Sequence, residues 1–203
     1  MVAFPYPVRE GAIMRVRLTV LAFLAAGWCA SATPAADAPC VSGPKAGQRT
    51  GPYSSVMCTG AQRGKSHCFI CETADRPAVI VFARTLSEPL GKLAAALEGA
   101  LADYKKNDLR GWLTLLHADQ SKVDAAVLAW ARKHALRGVS VGVFEDPDGP
   151  PSYRLHRGAD VTVLLAVKQK VVANFAFRPG ELTDARIRAV VAAIPQAAGP
   201  AKK

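Results

Sequence analysis

Ala78-Val79-Ile80-Val81-Phe82-Ala83 is an unbroken apolar run, bounded by Pro77 before it and Arg84 after it. A run this short, rich in β-branched residues, reads as a strand covered on both faces and therefore central in a sheet. Working outward, Ser87 can cap a helix with Glu88 and Pro89 in its first turn, and Leu90, Leu93, Leu97, Leu101 and Tyr104 recur at helical spacing behind it. Residues 111–117 (Gly-Trp-Leu-Thr-Leu-Leu-His) form a second apolar run. Residues 121–136 carry Val123, Val127, Trp130 and His134 on one helical stripe, and residues 139–144 give a third strand. The turn-forming run Glu145-Asp146-Pro147-Asp148-Gly149-Pro150-Pro151 blocks any helix there. Residues 161–167 and 171–177 then flank Lys168-Gln169-Lys170 as a hairpin, and Thr183 caps a last helix through Ile194. Helical connections force parallel pairing early and the late hairpin adds antiparallel strands, so the expected fold class is α/β, a mixed β-sheet with helices on both faces.

The 203 residues hold one domain of ordinary size plus extensions, and 50% hydrophobic with 21% charged residues argues for a packed core. Met14-Arg15-Val16-Arg17, an apolar run from Leu18 to Trp28, and the small residues Cys29-Ala30-Ser31-Ala32 have the form of a secretory signal peptide over residues 1–32, with translation starting at Met14 as an alternative. Its apolar run is shorter than the roughly 20 residues needed to span a bilayer, so no stable membrane anchor is expected after cleavage. Cleavage removes Arg9, Arg15, Arg17 and Glu10, which lowers the net charge from +10 to +8. The expected location is exported, periplasmic or extracellular. Residues 33–52 read as an irregular lead-in, 53–195 as the domain, and 196–203 as a disordered tail. The basic residues are dispersed and no aromatic-plus-basic stripe is present, which gives nucleic acid no support as a partner.

All five cysteines lie within the first 71 residues, and cleavage would leave Cys40, Cys58, Cys68 and Cys71. Four cysteines in an oxidising compartment allow three disulfide connectivities. Within Lys65-Ser66-His67-Cys68-Phe69-Ile70-Cys71-Glu72 the spacing of three permits a small ring of the kind redox proteins open and close. Lys65 and His67 favour the Cys68 thiolate and Glu72 disfavours that of Cys71, so Cys68 is expected to attack and Cys71 to resolve. The alternative is an inert bridge in a strand of a hairpin formed by residues 53–59 and 67–72. A zinc site from Cys58, Cys68, Cys71 and His67 or Cys40 fits no familiar spacing, and Glu72 stands where covalent haem needs a histidine. No cofactor is expected. Of the other candidates, Ser87 is most simply a helix cap. His117, His134 and His156 are lone histidines, and Asp146 and Asp148 suit a turn better than calcium.

The strand 78–83 running into a helix, the Phe144-Glu145-Asp146-Pro147-Asp148-Gly149 turn, and the closing hairpin and helix over residues 162–194 together resemble the thioredoxin-fold superfamily. The likeness covers roughly residues 53–195 and lies toward its secreted thiol-disulfide oxidoreductases and peroxiredoxins. It implies a thioredoxin-like fold and thiol-disulfide exchange with envelope or extracellular proteins. It also implies a cysteine just after the first core strand and a cis-proline before the strand near Thr162. This chain has Arg84-Thr85-Leu86-Ser87-Glu88-Pro89 at the first place and Val161 at the second. Two functions follow: redox chemistry relocated to Cys68 and Cys71, with His67 favouring the thiolate, or a non-catalytic, disulfide-stapled binding or scaffold domain.

Overall fold

A computed structural model describes residues 38–202 of the chain. The expected signal peptide and the first residues of the lead-in lie outside the described residues.

The elements run β1 (Ser55–Met57), β2 (Ser66–His67), α1 (Phe69–Thr73), β3 (Ala78–Ala83), α2 (Glu88–Asp103), β4 (Arg110–Leu116), α3 (Gln120–Lys133), β5 (Ser140–Phe144), β6 (Val161–Val167), β7 (Lys170–Phe177), α4 (Asp184–Ala193) and α5 (Pro195–Ala198). The strands form one mixed sheet in the order β2-β1-β5-β4-β3-β6-β7. The apolar run 78–83 is central: as β3 it pairs in parallel with β4 and antiparallel with β6. Ser87 and Thr183 cap α2 and α4 through their side-chain oxygens, as expected, and Asp119 caps α3 in the same way.

Alternation along the strands makes two cores. Val79, Val81, Leu113, Leu115, Val141, Val143, Val163 and Leu165 face α2, α3 and α4. Ile80, Phe82, Trp112, Leu116 and Leu164 face the other way, where the cover is α1 and the short 3-10 turn Pro151–Tyr153. Three long helices thus lie on one face and one short helix on the other.

Two local expectations need correcting. Of residues 67–72, only His67 is in a strand; the hairpin of β1 and β2 ends there and the chain winds into α1. Cysteines three apart suit a helical turn better than a strand, where residues at that offset point to opposite faces. The described part of the lead-in is tied down by backbone bonds: Gly47 N–H donates to Val171 O, Val171 N–H to Gln48 O and Thr50 N–H to Gln169 O, along the outer edge of β7 and the turn before it. Covering an edge strand in this way satisfies its free backbone groups. The C-terminal residues contain the one-turn α5, and the Asn107 side chain anchors them by donating to the carbonyls of Ala198 and Pro200 and accepting from Lys202 N–H.

Candidate redox site on a short helix

The β1–β2 hairpin delivers Cys68 in an extended conformation at the head of α1, where its Sγ accepts a hydrogen bond from the Cys71 N–H at 3.2 Å. One helical turn brings the two Cα atoms to 5.4 Å, and Cys68 and Cys71 form a disulfide. The remaining described cysteines are free. Cys40 is half-buried, and Cys58 is fully buried, its thiol pushed up to about 11 by desolvation. Of the three connectivities open in the sequence, the protein uses the local pair alone.

The bonded residues differ in exposure: Cys71 is exposed, whereas Cys68 is half-buried against the core on that face. Ile70 is the buried residue of the turn and anchors it there. Phe69 stacks on Trp112, ring centroids 5.1 Å apart, and the Trp112 indole N–H donates to the Tyr53 hydroxyl at 2.8 Å. The Tyr53 hydroxyl also bonds the Thr114 hydroxyl at 2.9 Å. The turn carrying the disulfide therefore sits on a rigid aromatic platform. Arg76 closes its far end by donating to the carbonyls of Thr73 and Glu72.

His67 is engaged by Glu72. Its Nε2 lies 2.7 Å from the Glu72 carboxylate, and its ring packs edge-on against Phe69 at 4.5 Å. The residues flanking the cysteines in sequence thus close on each other across the turn. Beside α1, His67, Phe69, Glu72 and Thr73 form one wall of a cleft of about 540 Å³, whose other walls include Trp112, Leu109 and Lys105.

The position the resemblance marked for a cysteine follows the C-terminal end of β3, whereas α1 precedes its N-terminal end. It is filled by structure. The Arg84 guanidinium donates to the carbonyls of Ala159, Pro147 and His156, and Thr85 donates to both oxygens of Asp160. Ser87 is used up as a cap. Among the described residues no peptide bond is cis. His117 bonds locally to Asp119, and His156 Nδ1 accepts from Gly158 N–H. Asp146 accepts from Asp148 N–H in a turn, and Asp148 pairs with Arg157. None of these joins the disulfide. Cys68, Cys71 and His67, singled out in the sequence, lie together on this turn, and the structure adds Glu72 as the partner of His67 and Trp112 and Tyr53 as the platform. No spacing rule signals the contacts of Phe69 with Trp112 or of Trp112 with Tyr53, residues far apart in the chain.

No family model matches the chain, and no curated protein matches it by sequence. Solved structures do match. A candidate protein disulfide isomerase from Bacteroides thetaiotaomicron superposes with a TM-score of 0.59 at 16% identity, covering 78% of this chain and 94% of that one. Peroxidoxin BcpB from Mycobacterium tuberculosis gives 0.53 at 12% identity over 74% and 96% of the two chains. A yeast mitochondrial 1-Cys peroxiredoxin gives 0.54 at 9% identity over 73% of each. The fold is thioredoxin-like.

Proposed function

We propose that this thioredoxin-like chain is an exported thiol-disulfide exchange protein whose working pair is Cys68 and Cys71, displaced from the fold's usual site to α1. The observation that carries this reading is a local disulfide with one exposed cysteine, held on the surface of the sheet rather than locked inside either core. A partner thiolate attacks one sulfur, the Cys68–Cys71 bond breaks, and the electron pair leaves on the other sulfur. The partner's second thiolate then displaces the enzyme sulfur from the mixed disulfide, so the partner dithiol is oxidised and the Cys68/Cys71 pair reduced. The reverse sequence reduces a partner disulfide. His67, next to Cys68 in the chain, is assigned the part of steadying its thiolate together with Glu72, to whose carboxylate it is hydrogen-bonded.

The three matched structures bear names from disulfide and peroxide chemistry, which supports a redox use of the fold. The signal-like residues 14–32 support export, and among the described residues no helix is long and apolar enough to cross a membrane. The partners are envelope or extracellular proteins that carry thiols or disulfides. A second reading, a non-catalytic binding or scaffold domain, draws on the filled usual site, where Arg84 ties three loop carbonyls together.

Insulin reduction with a dithiol donor separates the two. The wild type is expected to accelerate precipitation of the insulin B chain, and Cys68→Ser to lose that acceleration. Equal rates for the two proteins would dispose of the redox reading and leave the scaffold.

A further inference from the structure

The geometry points to Cys71, not Cys68, as the sulfur that partners attack and that carries the mixed disulfide, with Cys68 as the leaving and resolving thiol. This deepens the redox reading above and rests on it. It reverses the order expected from the flanking charges, for a physical reason. Those charges favoured Cys68 only while His67 and Glu72 acted separately. In the folded protein the His67 Nε2 and the Glu72 carboxylate are hydrogen-bonded to each other at 2.7 Å, so neither acts on a neighbouring sulfur by itself. Access then decides.

Thiolate attack on a disulfide proceeds along the S–S axis, from behind the sulfur attacked. Cys71 is exposed, and an incoming thiolate reaches it from solvent. Cys68 is half-buried and packs against the Ile70, Ile80 and Trp112 core, so a partner must approach its sulfur past that packing. The leaving group agrees with this order. When the bond to Cys71 breaks, the electron pair goes to Cys68 Sγ, which already accepts the Cys71 N–H at 3.2 Å, and a hydrogen-bonded thiolate departs more readily. In the reducing direction the Cys71 thiolate attacks the partner disulfide. The Cys68 thiolate, one helical turn away, then attacks Cys71 Sγ, re-forms the Cys68–Cys71 bond and expels the partner thiolate.

The test uses the full chain as wild type, Cys68→Ser and Cys71→Ser, with glutathione disulfide as the probe and adducts located by peptide mass, so that glutathione on Cys29 or Cys40 is counted apart. The reduced Cys68→Ser protein should acquire glutathione on Cys71 roughly tenfold or more faster than reduced Cys71→Ser acquires it on Cys68. In the wild type, oxidised protein mixed with reduced glutathione and quenched in acid should hold its adduct on Cys71. That measurement does not depend on either variant folding. An adduct on Cys68 in the wild type, or equal rates in the variants, overturns the assignment while insulin turnover by the wild type keeps the redox reading standing. Absence of both adducts and turnover removes the two together.

Discussion

Tyr53 contributes one hydroxyl to two neighbours, accepting from the Trp112 indole and sharing a hydrogen bond with Thr114. Burial pushes its ionisation up from 10.0 to about 12. A group whose folded-state value is raised stabilises the fold fully below its ordinary value, and that contribution is lost as pH rises toward the folded one. Tyr53→Phe leaves the Trp112 donor and the Thr114 hydroxyl without that partner and should cost about 1–3 kcal/mol at neutral pH. It should also flatten the loss of stability that the wild type shows between pH 10.0 and about 12. Urea titrations at several pH values check both effects; an unchanged alkaline slope would mean that Tyr53 does not titrate with unfolding. The residue matters to function because Trp112, which it holds, is the surface on which Phe69 and hence the disulfide turn rest.

Among the elements, α2 and α3 meet where Gly91 faces the ring of His134, which is buried with only 8% of its side chain accessible. In a helix interior, glycine replaced by alanine ordinarily stabilises by about 0.5–1 kcal/mol. Here a Cβ on residue 91 would overlap the imidazole, so the sign reverses and Gly91→Ala should destabilise by about 1–3 kcal/mol. In a His134→Ala background the same change should become stabilising. Denaturant midpoints for the two singles and the double decide it, and a stabilised Gly91→Ala single would show that the helices yield without strain. The helix was legible in sequence from Ser87 and the leucine period, but nothing marked Gly91 as a contact point, because the period shows which face is apolar and not what stands opposite. Helix α1 was not legible at all. Its five residues are too few to establish a period, and their mixture of Phe, Ile and Cys suits a strand equally well.

At the scale of the molecule, the two cores flank a sheet whose stability owes little to the Cys68–Cys71 bond. A ring closed over so few residues removes little freedom from the unfolded chain, about 2 kcal/mol in the chain-entropy picture. Reduction should therefore lower unfolding stability by no more than about that amount and leave one cooperative transition. Thermal melts with and without a dithiol reductant check this, and loss of the transition on reduction would mark the bridge as structural and count against a cycling role. The amino-acid sequence by itself determined the α/β class, the central place of residues 78–83, the helix caps Ser87 and Thr183 and the absence of a cysteine at the fold's usual site. Each of these depends on local periodicity or on the identity of a residue at a known offset. Only the tertiary structure decided that Cys68 bonds Cys71, that His67 is spent on Glu72, that Arg84 fills the vacated end of β3, and that Cys71 is the more open of the two cysteines. The physical reason is that burial and pairing are set by neighbours brought together by the sheet, such as Trp112 beneath Phe69 and Ala159 beside Arg84, whose separation along the chain leaves no trace in any local pattern.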